Sequence, residues 1–337
     1  MYDYAFEYWS VKTMGTENLV TLDDKNKDYI LDLMKSSEKI KEKGSERKVL
    51  DGKHIAILFE KPSTRTRSAF EIAVKNLGGS TTFFGKEDIH LGKKESIRDN
   101  SKVMERYFDG IGYRGYEQSN LEKMDKQLSI PVVNLLTDFC HPTQALADIF
   151  TIYENFDEDF TELELAYIGN GKNNVLNSLL ICSAITGLDL NVVTPEEFKP
   201  NSKVFEKAKN ISQKTKSDIK HFNDKKKGLK NVDAVYTDVW VSMGDSKDEW
   251  GNKIEKLGEY SVDRDIMSLT ASDSIFMHCL PAFHNRKTDI GREICDEHNL
   301  DYLEVSDDVF NSERSVVFEQ AENKLYTLEA LLKKLFK

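Results

Sequence analysis

The strongest constraint on this chain is an alternation. Short apolar runs exchange with stretches of helical spacing through most of its length. Parallel strands need a long crossover between them, usually a helix, so the alternation predicts an α/β fold with parallel sheets. His54–Glu60 (HIAILFE) reads as a buried strand, and Ser68–Leu77 as a helix ended by Gly78-Gly79. Thr81–Phe84, Gly110–Tyr113 and Val132–Leu136 read as further strands of a first domain. Pro142–Tyr153 reads as a helix with proline in its first turn, where the missing N–H costs nothing. A second series follows: strand Leu163–Ile168, helix Asn174–Thr186, and strands Leu188–Val193, Val232–Asp238 and Ser274–Leu280. The last helix, Ala321–Phe336, is amphipathic. The expected architecture is two doubly wound parallel-sheet domains joined by interdomain helices. The boundaries fall at 1–150 and 151–318, with a C-terminal helix, about 319–337, packing back on the first domain.

A chain of 337 residues suits two domains and can bury a core without disulfide or metal staples. Its net charge of -11 argues against a nucleic-acid partner but leaves room for a local basic pocket. Cys140, Cys182, Cys279 and Cys295 form no C-x-x-C pair, so neither a disulfide framework nor a zinc knuckle is expected. Met1–Gly15 lacks the pattern of a secretory signal, and no apolar run reaches transmembrane length. The reading is a cytoplasmic protein without a membrane partner. Asp224–Lys227 (DKKK) reads as a solvated turn.

Directly after the first strand stands Lys61-Pro62-Ser63-Thr64-Arg65-Thr66-Arg67. The start of a helix offers free N–H groups and partial positive charge, while arginine and hydroxyl side chains add donors suited to phosphate oxygens. The bland alternative is an N-cap followed by surface arginines. The density of the cluster at a strand–helix junction favours a phosphate site.

Three stretches then fall in one order: Ser63-Thr64-Arg65-Thr66-Arg67, His141-Pro142-Thr143-Gln144 and His278-Cys279-Leu280-Pro281. In this the chain resembles the aspartate/ornithine carbamoyltransferase family, from about Lys53 to the last helix. Asp238-Val239-Trp240-Val241-Ser242-Met243-Gly244 resembles the ornithine-binding loop of that family's ornithine branch.

The resemblance implies transfer of the carbamoyl group from carbamoyl phosphate to the side-chain amine of L-ornithine, in arginine metabolism. It also implies a carbamoyl-phosphate domain before an ornithine domain, and a homotrimer or a multiple of trimers. By similarity Ser63, Thr64, Arg65 and Thr66 hold the phosphate, Arg114 reaches phosphate and carbonyl, His141 donates to the carbonyl oxygen, and Gln144 accepts from the carbamoyl amide. Asn174 is implied for the ornithine carboxylate; Asp238, Ser242 and Met243 bind the amino-acid end. Cys279 and Asp238 lie near the reacting amine, with Leu280 offering a carbonyl. The implied catalytic residues are Arg114, His141 and Cys279, with no cofactor and no metal.

The chain departs from the family's pattern at three positions. His90 stands where a glutamine usually reaches carbamoyl phosphate from the neighbouring subunit. Lys324 replaces an arginine there, keeping the charge without the planar fork. Asn170 replaces an acidic residue.

Rival readings of the same residues stay open. His141 alone could be a structural histidine, and Cys279 a small core residue. Cys140, His141, His278, Cys279, His284 and Cys295 match no standard zinc spacing. Gly169-Asn170-Gly171-Lys172-Asn173-Asn174 opens a helix after a strand but lacks the third glycine of a dinucleotide fingerprint. A carbamoyltransferase for another amine such as putrescine, and a non-catalytic regulatory relative, are the alternative functions.

Overall fold

The computed structural model describes residues 17–45, 48–89, 94–156, 160–241 and 247–337. They fall into two compact units. The first runs to Ala147 and resumes at Glu322–Lys337; the second is Asp148–Ala321.

The first unit contains α1 (Lys27–Lys43), β1 (His54–Phe59), α2 (Thr64–Asn76), β2 (Ser80–Phe84), α3 (Ile97–Tyr107), β3 (Gly110–Arg114), α4 (Gln118–Gln127) and β4 (Val132–Leu136). Helix α5 (Pro142–Asn155) follows, and the division between the units falls inside it. The strands form one parallel sheet in the order β2-β1-β3-β4. Alternate residues define its faces. Ala56 and Leu58 of β1, Ile111 and Tyr113 of β3 and Val132 of β4 share a buried cluster with Met104 of α3 and Leu121 and Met124 of α4. Phe70 of α2 packs where Gly112 leaves room: a Cβ there would stand 2.8 Å from its ring.

The second unit contains β5 (Glu164–Ile168), α6 (Asn174–Thr186), β6 (Asp189–Val193), α7 (Ser202–Thr215), β7 (Ile219–Phe222), α8 (Lys225–Gly228), β8 (Ala234–Thr237), α9 (Lys247–Leu257), α10 (Arg264–Met267), β9 (Ile275–His278), α11 (Asp289–His298) and α12 (Asp307–Phe310). Helix α13 (Val317–Leu335) carries the chain across the second boundary. The second sheet is also parallel, in the order β7-β6-β5-β8-β9. From Val175 to Thr186 every residue of α6 is buried, which explains its apolar character all round.

Both sheets are the parallel, helix-crossed kind that the alternation predicts. Among the details that differ from the sequence reading, two fall at motifs it singled out. The helix expected from Ser68 begins at Thr64, because extended Ser63 caps it by accepting from the Thr66 N–H at 3.3 Å. The DKKK run is one helical turn capped by Asp224. Among the described residues no helix is long and apolar enough to cross a membrane.

Candidate active site

In each sheet the chain reverses its direction of winding once. The strand order places this point between β1 and β3 in the first unit and between β5 and β8 in the second. Ligands of open parallel sheets bind beyond the carboxyl ends of the strands at such points. Of the residues singled out in the sequence, Ser63–Thr66 and Arg114 lie at the ends of the strands flanking the first such point, and Asn174 and Asp238 beyond those flanking the second.

At the first switch point, β1 leads through Glu60–Pro62 into α2, and β3 ends at Arg114. The Glu60 N–H donates to the Arg114 carbonyl at 2.8 Å, and the buried Tyr113 hydroxyl donates to the Glu60 carboxylate. These bonds fasten the end of β1 to the end of β3. Thr64 and Arg65 are exposed at the start of α2, where N–H groups lack helical partners, while Thr66 is buried. Arg67 is engaged elsewhere: Nε lies 3.0 Å from Glu71 Oε1, and its guanidinium sits 3.4 Å from the centre of the Phe83 ring. Of the two arginines, Arg65 is the more exposed.

His141 precedes α5 and is buried. Its carbonyl accepts from the Gln144 and Ala145 N–H groups at 3.0 and 3.2 Å. The preceding turn is closed by the Thr137 N–H donating to the Cys140 carbonyl at 2.9 Å. Burial holds the His141 imidazole well below its usual pKa, and the charges of Lys324 and Arg114 push the same way. The imidazole is therefore neutral beside two cations. Thr143 Oγ1 lies 3.4 Å from Nδ1. Gln144 is buried within the first turn of α5, and Lys324 is buried on α13. The first unit thus brings together Arg114, His141 and Lys324. His90 lies outside the described residues.

At the second switch point, β5 leads through Gly169–Asn173 into α6, and β8 leads into Asp238. Asn173 caps α6, its Oδ1 accepting from the Val175 and Leu176 N–H groups at 2.6 and 3.3 Å. Its Nδ2 donates to Asp238 Oδ2 at 2.7 Å, and the Val239 N–H donates to Oδ1 at 2.9 Å. Burial pushes the Asp238 carboxyl up to about 6, while His278 and the Asn173 bond pull it back. Asn174 is half-buried at the first position of α6.

Cys279 and Leu280 follow β9 and are half-buried. Burial chiefly raises the hydroxyl pKa of Tyr167 and Tyr236, and Asp238 and Cys279 both add to it, so the two acidic groups share these surroundings. His278 is buried, with Nδ1 2.8 Å from the Cys279 carbonyl and Nε2 3.3 Å from Glu304 Oε1. Ser242 and Met243 lie outside the described residues.

Sequence reasoning missed Asn173, Glu304 and the local part of His278. Asn173 had a signal, an Asn directly before an apolar helical run. Glu304 had none, because its partner lies far away in the chain.

The rival readings also meet the structure. Among the described residues no group of three or more His, Cys, Asp or Glu side chains is placed to hold a metal ion. The glycines after β5 serve packing: Gly169 has a φ of 126°, and a Cβ on Gly171 would fall 2.1 Å from the Phe198 carbonyl oxygen. Asn170 braces this turn, its Oδ1 accepting from the Lys172 N–H at 3.0 Å.

Residues 17–154 match the carbamoyl-P binding domain of aspartate/ornithine carbamoyltransferase, and residues 161–335 match its Asp/Orn binding domain. The chain is 44% identical over 323 residues to an ornithine carbamoyltransferase of Limosilactobacillus reuteri, covering 95% of this chain and 96% of that protein. It is 43% identical to one of Pediococcus pentosaceus, covering 95% and 97%. The solved ornithine carbamoyltransferase of Pyrococcus furiosus superposes with a TM-score of 0.85 at 34% identity, covering 96% of this chain and 97% of that one. With both domains matched and near full-length likeness, the chain belongs to the aspartate/ornithine carbamoyltransferase family.

Proposed function

We propose that this protein transfers the carbamoyl group of carbamoyl phosphate to the side-chain amine of L-ornithine, giving L-citrulline and phosphate, in arginine metabolism. The family and the relatives named for this reaction support the assignment. The structural observation that carries the chemistry is the buried, neutral His141 within electrostatic reach of Arg114 and Lys324.

Carbamoyl phosphate presents a dianionic phosphate next to an electrophilic carbonyl. In the proposal Ser63, Thr64, Arg65 and Thr66 hold the phosphate at the start of α2, with Arg114 and Lys324 adding positive charge. Ser63 Oγ accepts from the Thr66 N–H and keeps its own O–H to donate to a phosphate oxygen. His141 donates a neutral hydrogen bond to the carbonyl oxygen. As the amine nitrogen bonds to the carbonyl carbon, negative charge builds on that oxygen, and a fixed donor stabilises it. Gln144 accepts from the carbamoyl amide. The bond from the carbonyl carbon to the phosphate oxygen then breaks, and phosphate leaves with the electron pair and accepts the proton lost by the amine.

Ornithine binding is proposed for the second unit. Asn174 takes the carboxylate; Asp238, Ser242 and Met243 take the amino-acid end; Cys279 and the Leu280 carbonyl flank the reacting amine. Attack requires a neutral amine, which a desolvating pocket favours. The proposal includes a homotrimer in which His90 reaches carbamoyl phosphate from the neighbouring subunit. The cytoplasm is its proposed compartment, since none of the four cysteines is in a disulfide.

The test is citrulline formation by purified protein from carbamoyl phosphate and ornithine, beside a putrescine control. Turnover with ornithine alone is expected. Folded protein inactive with both amines overturns the assignment, and turnover with putrescine alone moves it to the sister reaction.

A further inference from the structure

Strand β9 is the edge of the second sheet. Its outer side is covered by main chain for one register: the Phe276 N–H donates to the Arg314 carbonyl at 2.7 Å, and the Val316 N–H donates to the Phe276 carbonyl at 3.0 Å. One step on, that cover has ended, and a side chain takes over. The His278 N–H donates to Gln320 Oε1 at 2.9 Å. The other end of the same amide, Nε2, donates to Asp148 Oδ1 at 2.7 Å. The Tyr236 hydroxyl donates to Asp148 Oδ2 at 3.1 Å. All four residues are buried. Asp148 is the first residue of the second unit and Gln320 the last but one, so the network also ties together the two ends of this unit's chain.

The chemistry allows one orientation of the Gln320 amide. A carboxylate needs a donor and a main-chain N–H needs an acceptor, so nitrogen faces Asp148 and oxygen faces His278. Charge-assisted bonds in a buried setting are the stronger kind, and leaving a buried partner unmet is costly. The held residue is His278, and the next residue is Cys279.

We propose that Gln320 is a positioning residue: by bridging the buried Asp148 carboxylate to the His278 main chain, it sets the place of the Cys279 thiol and the Leu280 carbonyl at the ornithine end of the site. The inference rests on the proposed function for its catalytic meaning. Its structural content is testable without turnover, because Cys279 is half-buried while Cys140, Cys182 and Cys295 are buried. Alkylation by iodoacetamide therefore reports on Cys279.

Three variants decide the matter. Gln320→Met keeps the volume and removes both bonds. Gln320→Glu sets two carboxylates against each other. Asp148→Asn combined with Gln320→Glu exchanges the amide and the acid between the two positions. The amide introduced at position 148 then donates to the carboxylate introduced at position 320, which still accepts from the His278 N–H. Cys279 alkylation should change several-fold in both single variants. Ornithine kcat/KM should fall on the order of tenfold to a hundredfold, the loss of a charge-assisted buried bond, while KM for carbamoyl phosphate holds within about twofold. The double variant should restore both readouts. Folded Gln320→Met with wild-type alkylation and kinetics overturns the inference, as does a double variant no better than Gln320→Glu. A lowered Tm with unchanged Cys279 reactivity also overturns it, by reducing Gln320 to a structural part. Wild-type protein that makes no citrulline sinks the functional assignment, and the alkylation series still decides the role of Gln320.

Discussion

Asn173 holds the Asp238 carboxylate with one end of its amide, at 2.7 Å, and the start of α6 with the other. One side chain thus joins a helix cap to a buried acid at the second switch point. The bond favours the ionised acid, against a burial that disfavours it, and leaves the carboxyl at about 6.

In the proposed site Asp238 binds the ammonium end of ornithine and must be ionised to do so, so ornithine kcat/KM should fall as the pH drops through about 6. Asn173→Ala removes a bond that lowers the pKa, so the acid limb should move to higher pH. Its cap is lost as well, at about 1 kcal/mol of stability. A pH profile of ornithine kcat/KM for the two proteins checks this; an acid limb that stays in place contradicts it.

Stability should show the opposite preference at the same residue. The folded carboxyl sits at about 6 against an ordinary 3.8. The folded chain therefore binds the proton more tightly than the unfolded one. The stability this contributes is present below the unfolded pKa and is lost as pH rises through about 6. At pH 7.5 the cost of burying the charge is on the order of 2–3 kcal/mol. Asp238→Asn removes the charge but sets an amide NH2 against one of two donors, Asn173 Nδ2 or the Val239 N–H, so its Tm should fall at pH 3.5, recover relative to the parent at pH 7.5, and most ornithine turnover should be lost. Thermal melts at the two pH values, beside the citrulline assay, test the three statements together.

These residues also show what the sequence made legible. Strands buried on both faces, such as β1 and β5, read as apolar runs because every residue after their half-buried first ones, His54 and Glu164, is buried. Strand β7 went unread because it is an edge strand of mixed character, with Lys220 exposed and His221 and Phe222 half-buried. Ser63, Arg65, His141 and Asp238 were singled out because each stands in a short stretch of neighbours with a recognisable pattern. The contact of Arg67 with the Phe83 ring and the Gln320 bridge to Asp148 depend on how elements pack. No spacing along the chain encodes such partners.

The neutral state of His141 depends first on burial and then on Lys324 and Arg114. Lys324→Met removes one positive charge, so the imidazole should accept a proton more readily and its pKa should rise, while burial keeps it below the usual value. Carbamoyl-phosphate KM should rise with the same change. Histidine NMR titration reads the first effect and steady-state kinetics the second. For His141→Ala, kcat should fall on the order of a hundredfold to a thousandfold, as for loss of an oxyanion donor.

Ser63 combines two tasks that a pair of substitutions can separate. It caps α2 through the Thr66 N–H, and in the proposal it also donates to the phosphate. Ser63→Ala should lose both, with about 1 kcal/mol of stability and a higher KM for carbamoyl phosphate. Ser63→Asp should part them. Aspartate caps a helix as well as serine does, and its charge is favoured by the helix dipole, so Tm should hold or rise. The same charge occupies the place meant for a dianion, so carbamoyl-phosphate affinity should fall further than in Ser63→Ala. The order of the three proteins by Tm should therefore differ from their order by KM. Equal rankings in the two measurements would show that the start of α2 contributes to phosphate binding only by being folded.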